Sequence, residues 1–465
     1  MLTARSSIFF ALGALGPALG AFVVGCGDNA EPPNFPTAHC EQVTTGHCVE
    51  VHGGDSAGLQ NQANSIDAST TIILGLGTFK MTNQLTIRTK GAHVIGQGMD
   101  LTTLDFSTAS AQGNGIDAIG DDFLVQDLTV RDAAKDGIRV EASTGVVYRR
   151  VHVTWTTPSL PSNGAYGIYP VKSQNVLVEG SLVENASDAG LYVGQCQHAI
   201  VRNNIVKGNV AGLEIENTQY ADVYNNLAED NTGGIVAFDL PGNPIIGRDV
   251  RLRDNIIRNN NHTNFGTPGT TVASIPVGTG TFAMASRRVE ITGSTYANNN
   301  TVDIALISGL ALEQDVTKWM LPTSTLSGKF DDLGLLPGAP GTIMNFRSEN
   351  ILVAGNKHSG SGTQADPRDP LQLGLLLLLV YGANPVDNVL YDAIGESKFN
   401  STMANQNSND NHMCVGGNTA GTFASMSLAT QSPSSITPFF RPAKPFAPFD
   451  CTMLNGGAVA PVVLP

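Results

Sequence analysis

Apolar residues in the central part of this chain alternate with polar ones in short runs. Each run is closed by Gly, Asn or Asp, and the runs repeat. A Gly-aliphatic pair recurs at Gly115-Ile116, Gly137-Ile138, Gly167-Ile168, Gly190-Leu191, Gly212-Leu213 and Gly234-Ile235, at steps of 22, 30, 23, 22 and 22 residues. A second track follows it: VLVEGSL from 176, AIVRNNI from 199, ADVYNNL from 221, VRLRDNI from 250, VEITGST from 289 and ILVAGNK from 351. Period-2 alternation over four to six residues is a strand signal. Two or three such strands in a unit of about twenty-two residues predict a parallel β-helix, in which strands of successive coils stack about 4.8 Å apart. Asn204, Asn209 and Gly212 return as Asn226, Asn231 and Gly234. Stacked asparagines can pass amide hydrogen bonds from coil to coil and tolerate the left-handed backbone of a sharp corner. This pattern makes the asparagine column a corner of the fold, with Gly190, Gly212 and Gly234 marking another. GLQNQANSI (58–66) has the form of a short amphipathic capping helix.

The segment TTIILGLGTFKMTNQLTIRTKGAHVIGQGMDLTTLDF (70–106) carries the pattern x-I-x-L-x-x-G-x-F, L-x-I, V-x-G-x-G and T-x-L-D. It resembles the opening of the right-handed β-helices of the pectin-lyase-like superfamily. NGAYGIYPVKSQNVLVEGSLVENASDAGLYVGQ and NTGGIVAFDLPGNP resemble bacterial β-helix envelope proteins. The resemblance implies an all-β, right-handed parallel β-helix solenoid, with a helix hiding apolar core and strand edges at one end.

The chain start, MLTARSSIFFALGALGPALGAFVVGCGDN, has one cation before an apolar run of signal-peptide length. It closes on Val23-Val24-Gly25-Cys26, which resembles a bacterial lipobox with Cys26 as the lipidated residue. The expected organisation is a signal peptide at 1–25, a lipidated tether at 26–50, the β-helix at 51–360, and a C-terminal cap or tail at 361–465 packed on it. The protein is then exported and anchored in the cell envelope by lipid alone. Export permits disulfides, and Cys40–Cys48 and Cys414–Cys451 are the expected pairs, leaving Cys196 as a quiet thiol. LQLGLLLLLVY (371–381) is too short to span a bilayer and is expected to be buried against the stack.

Alternation also assigns side-chain direction. With the aliphatic residue after each glycine pointing inward, the next points out. One outward column reads Asp117, Arg139, Tyr169, Tyr192, Glu214 and Val236, and another reads Glu141, Val171, Gly194, Glu216 and Phe238. Asp239 lies in the adjoining turn. Tyrosine faces stack on sugars, and carboxylates and Arg bind hydroxyls. These columns nominate Arg139, Tyr192 and Asp239 for substrate binding. Glu214 and Glu216 are the paired carboxylates for glycosidase chemistry. Lys172 and Tyr169 are the base or acid for lyase or epimerase chemistry. The inserts at 155–166 and after Asp239 are expected to wall this face.

Family motifs fit less well. The Gly-His-Gly of polygalacturonase-like enzymes is missing from the sequence. In YGIYPVKS (166–173), Tyr166, Gly167 and Pro170 match the mannuronan-epimerase motif, while Tyr169 and Val171 stand where it has Asp and His. No Cys/His zinc spacing and no Gly-Gly-x-Gly-x-Asp calcium array occurs, so no metal and no cofactor is expected. The formal net charge is −14, with no Lys/Arg cluster, which disfavours nucleic acid as a partner. Two readings stay open for a monomeric envelope protein that binds a polysaccharide: processing it as a lyase, epimerase or glycosidase, or binding a glycan or partner without turnover.

Overall fold

A computed structural model describes residues 38–110, 112–367, 373–382, 385–398, 408–426 and 447–465. The expected signal peptide and the lipidation site Cys26 lie outside the described residues. From Ala38 onward the chain forms one compact unit. Its body is a parallel β-helix with one 20-stranded sheet, one 11-stranded sheet and a separate 3-stranded antiparallel sheet.

Coil follows coil in register. In the 11-stranded sheet, Ile138 pairs with Ile168, Ile168 with Leu191, Leu191 with Leu213 and Leu213 with Ile235. All five are fully buried and form the spine of one continuous hydrophobic core. Burial of this column is the main driving force for stacking, because every coil leaves an apolar surface that only its neighbour can cover.

Two asparagine ladders run beside the core. Asn204 Nδ2 donates to Asn226 Oδ1 and Asn226 Nδ2 to Asn255 Oδ1, each at 3.0 Å. The parallel series is Asn209, Asn231, Asn260 and Asn299. Each side chain also accepts a backbone N–H from the neighbouring coil, as Asn226 Oδ1 does from Asn204 N. Buried amides are thereby satisfied without water.

Two details differ from the sequence expectation. The left-handed backbone falls on the residue before the first ladder: Asn203, Asn225 and Asp254 have φ of 57°, 55° and 55°. The ladder residues themselves avoid it, because their amides must point along the stack. Gly190, Gly212 and Gly234 are not corners either; they lie inside strands. A Cβ on Gly212 would meet the carbonyl oxygen of Gly234 at 2.6 Å and Asn231 Nδ2 at 2.8 Å. Glycine is required there by close approach of the next coil and of the asparagine ladder.

The helix Ser56–Asn64 caps the N-terminal end as expected. Asp55 accepts a hydrogen bond from Gly58 N at its start, and Leu59 and Ala63 are buried against the core. At the other end stacking continues past 360: Val389–Tyr391 pairs with the Val302–Ile307 strand, Phe423–Ser425 with Val389–Tyr391, and Met413–Gly416 with Glu349–Ala354. Long excursions between these strands erase the period in the sequence. Residues 373–381 form a short helix with Leu377 buried and Leu379 exposed, and no helix among the described residues is long and apolar enough to cross a membrane. The disulfides Cys40–Cys48 and Cys414–Cys451 are both present, and Cys196 is free and buried.

Candidate functional site

The 11-stranded sheet carries the candidate residues in the register expected. Arg139 pairs with Asp117 and with Tyr169, Tyr192 pairs with Glu214, and Gly194 pairs with Glu216. All point away from the spine. The face is nevertheless no open groove. Tyr192, Glu214 and Glu216 are only 4%, 3% and 8% exposed. A second apolar cluster roofs them, in which Tyr192, Val236, Phe238, Phe282 and Met284 of the sheet meet Phe265, Val272, Ile275 and Trp319 of the excursions. The direction of these side chains follows from alternation; their burial comes from segments outside the repeat.

Beneath the roof lies a cavity of about 280 Å³. One end is acidic, lined by Tyr166, Asp188, Glu214 and Glu216. The rest is mainly apolar, with Val236, Phe238, Phe282, Met284 and Ile307 from the sheet and Leu240, Val272, Ile275 and Leu312 from the cover, which also brings Thr270, Thr271 and Ser274. Its volume is near the lower end for small-ligand pockets, roughly 300 Å³. Of the insert at 155–166, only its last residue, Tyr166, lines it among the described residues. The insert also braces the roof, where Ser159 Oγ meets His262 Nε2 at 2.7 Å.

Tyr166 lines the acidic end and packs in a cluster of three rings, with centroids of Tyr166, Tyr169 and Tyr192 between 4.5 and 5.0 Å apart. Tyr192 lies flat along its strand over Gly194, where a Cβ would sit 2.0 Å from the Tyr192 hydroxyl. That placement brings Tyr192 into hydrogen bonding with Glu216, which also accepts Asn243 Nδ2 at 2.9 Å. Tyr166 hydrogen-bonds Asp188. Glu214 has no hydrogen-bond partner among the described residues, although it is nearly fully buried.

Burial governs the ionisation of this set. Removal from water, with Glu216 as a negative neighbour, pushes Asp188 up to about 7. Burial pushes Glu216 up to about 7 as well, despite the bonds from Tyr192 and Asn243. Glu214 is raised by burial first and then by Asp188 and Glu216. Near neutrality the cavity therefore holds protonated and ionised carboxyls together.

The remaining candidates are placed differently. Asp239 does not reach the cavity: it is 1% exposed, accepts Gly247 N and Asn345 Nδ2 at 3.0 Å, and lies 4.0 Å from the Arg287 guanidinium. It fastens an excursion to the stack and is closed to substrate. Lys172 is exposed at a corner, 3.4 Å from Glu141, beside a separate pocket lined by Gln174, Gln195 and Gln197. Its left-handed backbone turns it off the sheet face. Arg139 is held between Asp117, at 3.0 Å, and Glu141, with Tyr169 5.9 Å from its guanidinium carbon. Tyr169 is half-buried and does not line the cavity; burial pushes its hydroxyl up to about 12, far from the range of a neutral-pH base. The lyase or epimerase set of Lys172 and Tyr169 is thus not assembled, while Glu214 and Glu216 are together.

Sequence reasoning did not single out Asp188. It precedes Ala189 in a column otherwise occupied by Ala165, Val210 and Thr232. One acid in an apolar column is the signal that could have found it. No group of His, Cys, Asp and Glu able to hold a metal ion occurs among the described residues.

Comparison with known proteins supports the architecture. Residues 90–250 and 162–315 match the family model described as right handed beta helix region. The chain folds as a right-handed parallel β-helix. Among solved structures it is similar to the A-module of mannuronan C-5 epimerase AlgE4 from Azotobacter vinelandii, at 17% identity and TM-score 0.45, covering 73% of this chain and 91% of that one. It is similar to an exopolygalacturonase from Thermotoga maritima at 10% and 0.42, covering 81% and 90%. A lacto-N-biosidase from Eubacterium ramulus gives 11% and 0.46, covering 69% and 66%. At these scores the likenesses fix neither reaction nor substrate. No curated protein matches the chain.

Proposed function

We propose that this protein takes a terminal unit of a polysaccharide into the covered cavity and cleaves its glycosidic bond by acid–base chemistry of Asp188, Glu214 and Glu216. One observation carries the reading: three carboxyls share one small cavity, and burial holds them so that acid and base forms coexist near neutrality. Glycosidases require such a pair, a protonated acid for the leaving oxygen and an ionised carboxylate for water or the sugar carbon. The roof favours a chain end over the middle of a polymer. Uronate lyase or epimerase chemistry has less support, because among the described residues no Lys, Arg or His lines the cavity to neutralise a substrate carboxylate.

Binding without turnover is the second reading. It is favoured by the bonds that tie Glu216 to Tyr192 and Asn243, which suit a fixed structural acid. Incubation with neutral and uronate-containing polysaccharides separates the two. Release of reducing ends without any unsaturated product, abolished by Glu216→Gln, supports the hydrolase. Unsaturated products without new water-derived ends would move the assignment to a lyase, and saturable binding with no product would leave a binder. The apolar run before Cys26, with two disulfides in the described part, supports export and lipid anchoring of a monomer in the cell envelope.

A further inference from the structure

We infer that the acidic end of the cavity is a subsite for an ammonium group, and that the glycan unit taken is an amino sugar with its nitrogen unacetylated. The inference rests on the glycan reading above and narrows it to a substrate class.

Glu214 lines the cavity, is 97% removed from solvent and finds no hydrogen-bond donor among the described residues. A buried polar group without a partner costs free energy, and a carboxyl there is driven towards its neutral form until a cation arrives. Asp188 and Glu216 stand near enough to raise its proton affinity by like charge, so no neighbour relieves it. The protein's own cations are engaged elsewhere. Arg139 is bound to Asp117 and Glu141, Lys172 faces Glu141, and Arg287 is buried beside Asp239 and Glu349. The missing partner is therefore a donor that the ligand brings.

Three kinds of sugar can be compared. A uronate would add negative charge to a cavity lined by no cation among the described residues. A hydroxyl supplies one weak donor and no charge. An ammonium supplies three N–H donors and no acceptor, and its bonds to carboxylates are charge-assisted. Glu214 and Asp188 can take the ammonium, whose charge replaces the proton that burial holds on Glu214, while Glu216 is already bonded by Tyr192 and Asn243. The apolar wall of Val236, Phe238, Phe282 and Met284 matches the C–H face of a pyranose ring, which stacks on aromatic carbon. Polarity at one end and carbon at the other describes the ligand as well as the cavity.

Calorimetric titration of the purified protein at about neutral pH tests this with four probes: a glucosamine tetrasaccharide, its fully N-acetylated counterpart, a galacturonate tetrasaccharide and benzylamine. The expected result is binding of the glucosamine oligomer about ten-fold or more tighter than the acetylated one, the scale of one hydrogen bond to a charged group. Galacturonate should not bind. Glu214→Gln should lose that preference while its thermal midpoint stays at or above that of the wild type, since a buried unpaired acid is removed. Equal affinity for acetylated and free amino sugars would overturn the ammonium subsite and leave the glycan reading standing. Benzylamine binding that depends on Glu214, with no sugar bound, would keep the ammonium subsite and overturn the glycan reading. Failure of both amines to bind would overturn the inference outright.

Discussion

Gly194 lacks a side chain where Tyr192 occupies the space. Gly194→Ala would place a methyl group 2.0 Å from the Tyr192 hydroxyl and tilt the ring off Glu216. Overpacking of this kind costs about 1–3 kcal/mol, so the urea midpoint should fall; an unchanged midpoint would mean that the ring has room to move. The ladder offers a sharper contrast between adjacent residues. Asn226 Oδ1 accepts from both nitrogens of Asn204, and its Nδ2 donates to Asn255 and Val201. Asn226→Leu should cost about 1–3 kcal/mol or more from the unpaired groups. Asn225→Gly, at φ 55°, should change stability by less than about 0.5 kcal/mol, because glycine accepts that conformation freely. Equal effects from the two substitutions would refute the division of labour between them. The sequence shows the ladder but not which asparagine of each pair builds it. In 203–204 and 225–226 both residues are Asn, and the roles separate at other coils, as in Asp254-Asn255, Gly293-Ser294 and Gly355-Asn356.

At the level of elements, alternation made the columns legible. Arg139, Tyr169, Tyr192 and Glu214 share one face because every strand of that sheet keeps the same phase. What covers a face is not written in its own alternation. The roof comes from Phe265, Val272, Ile275 and Trp319, in excursions that have no period and meet the sheet only after folding. An exposed groove was the natural expectation, and a cavity partly covered by these excursions is what forms. The end cap was legible because a short amphipathic helix ahead of the repeated coils has few other uses, although the strand His47–Val51 precedes it and pairs with Thr70–Leu74. Leu59 is fully buried in the core against the first coils. Leu59→Ala should cost about 2–4 kcal/mol and speed amide exchange in the Leu85–Ile87 strand before it does so in the central coils. Uniform exchange along the stack would show that the helix does not hold that end.

For the molecule as a whole, the lipid anchor is the expectation that lies furthest from the described residues. Cys26→Ser should convert a membrane-bound protein into an uncleaved or soluble one on fractionation; wild-type protein recovered unlipidated from the medium would contradict the anchor. The acidic cavity gives a molecular property that needs no ligand. Asp188 and Glu216 titrate at about 7 in the folded chain, above their ordinary 3.8 and 4.5, and burial raises Glu214 too. Asp136, Asp239 and Asp392 are raised to about 6 by burial. Such groups bind more protons folded than unfolded, so their contribution is full at acid pH and is lost as pH rises through the folded values. Asp105 and Asp332 have the opposite sign: their cation partners hold them low, and their stabilisation disappears only below the ordinary carboxylate range. His93, lowered by burial, also favours folding as pH rises through its ordinary value. Comparison with a variant cancels both.

Urea denaturation of the wild type and Glu214→Gln between about pH 5 and pH 8 is therefore the most direct measurement of a covered cavity of unpaired acids. Wild-type stability should fall across that interval, and Glu214→Gln should fall less and be the more stable protein at the alkaline end. Parallel curves, or a Glu214→Gln protein less stable than the wild type at the alkaline end, would contradict the account.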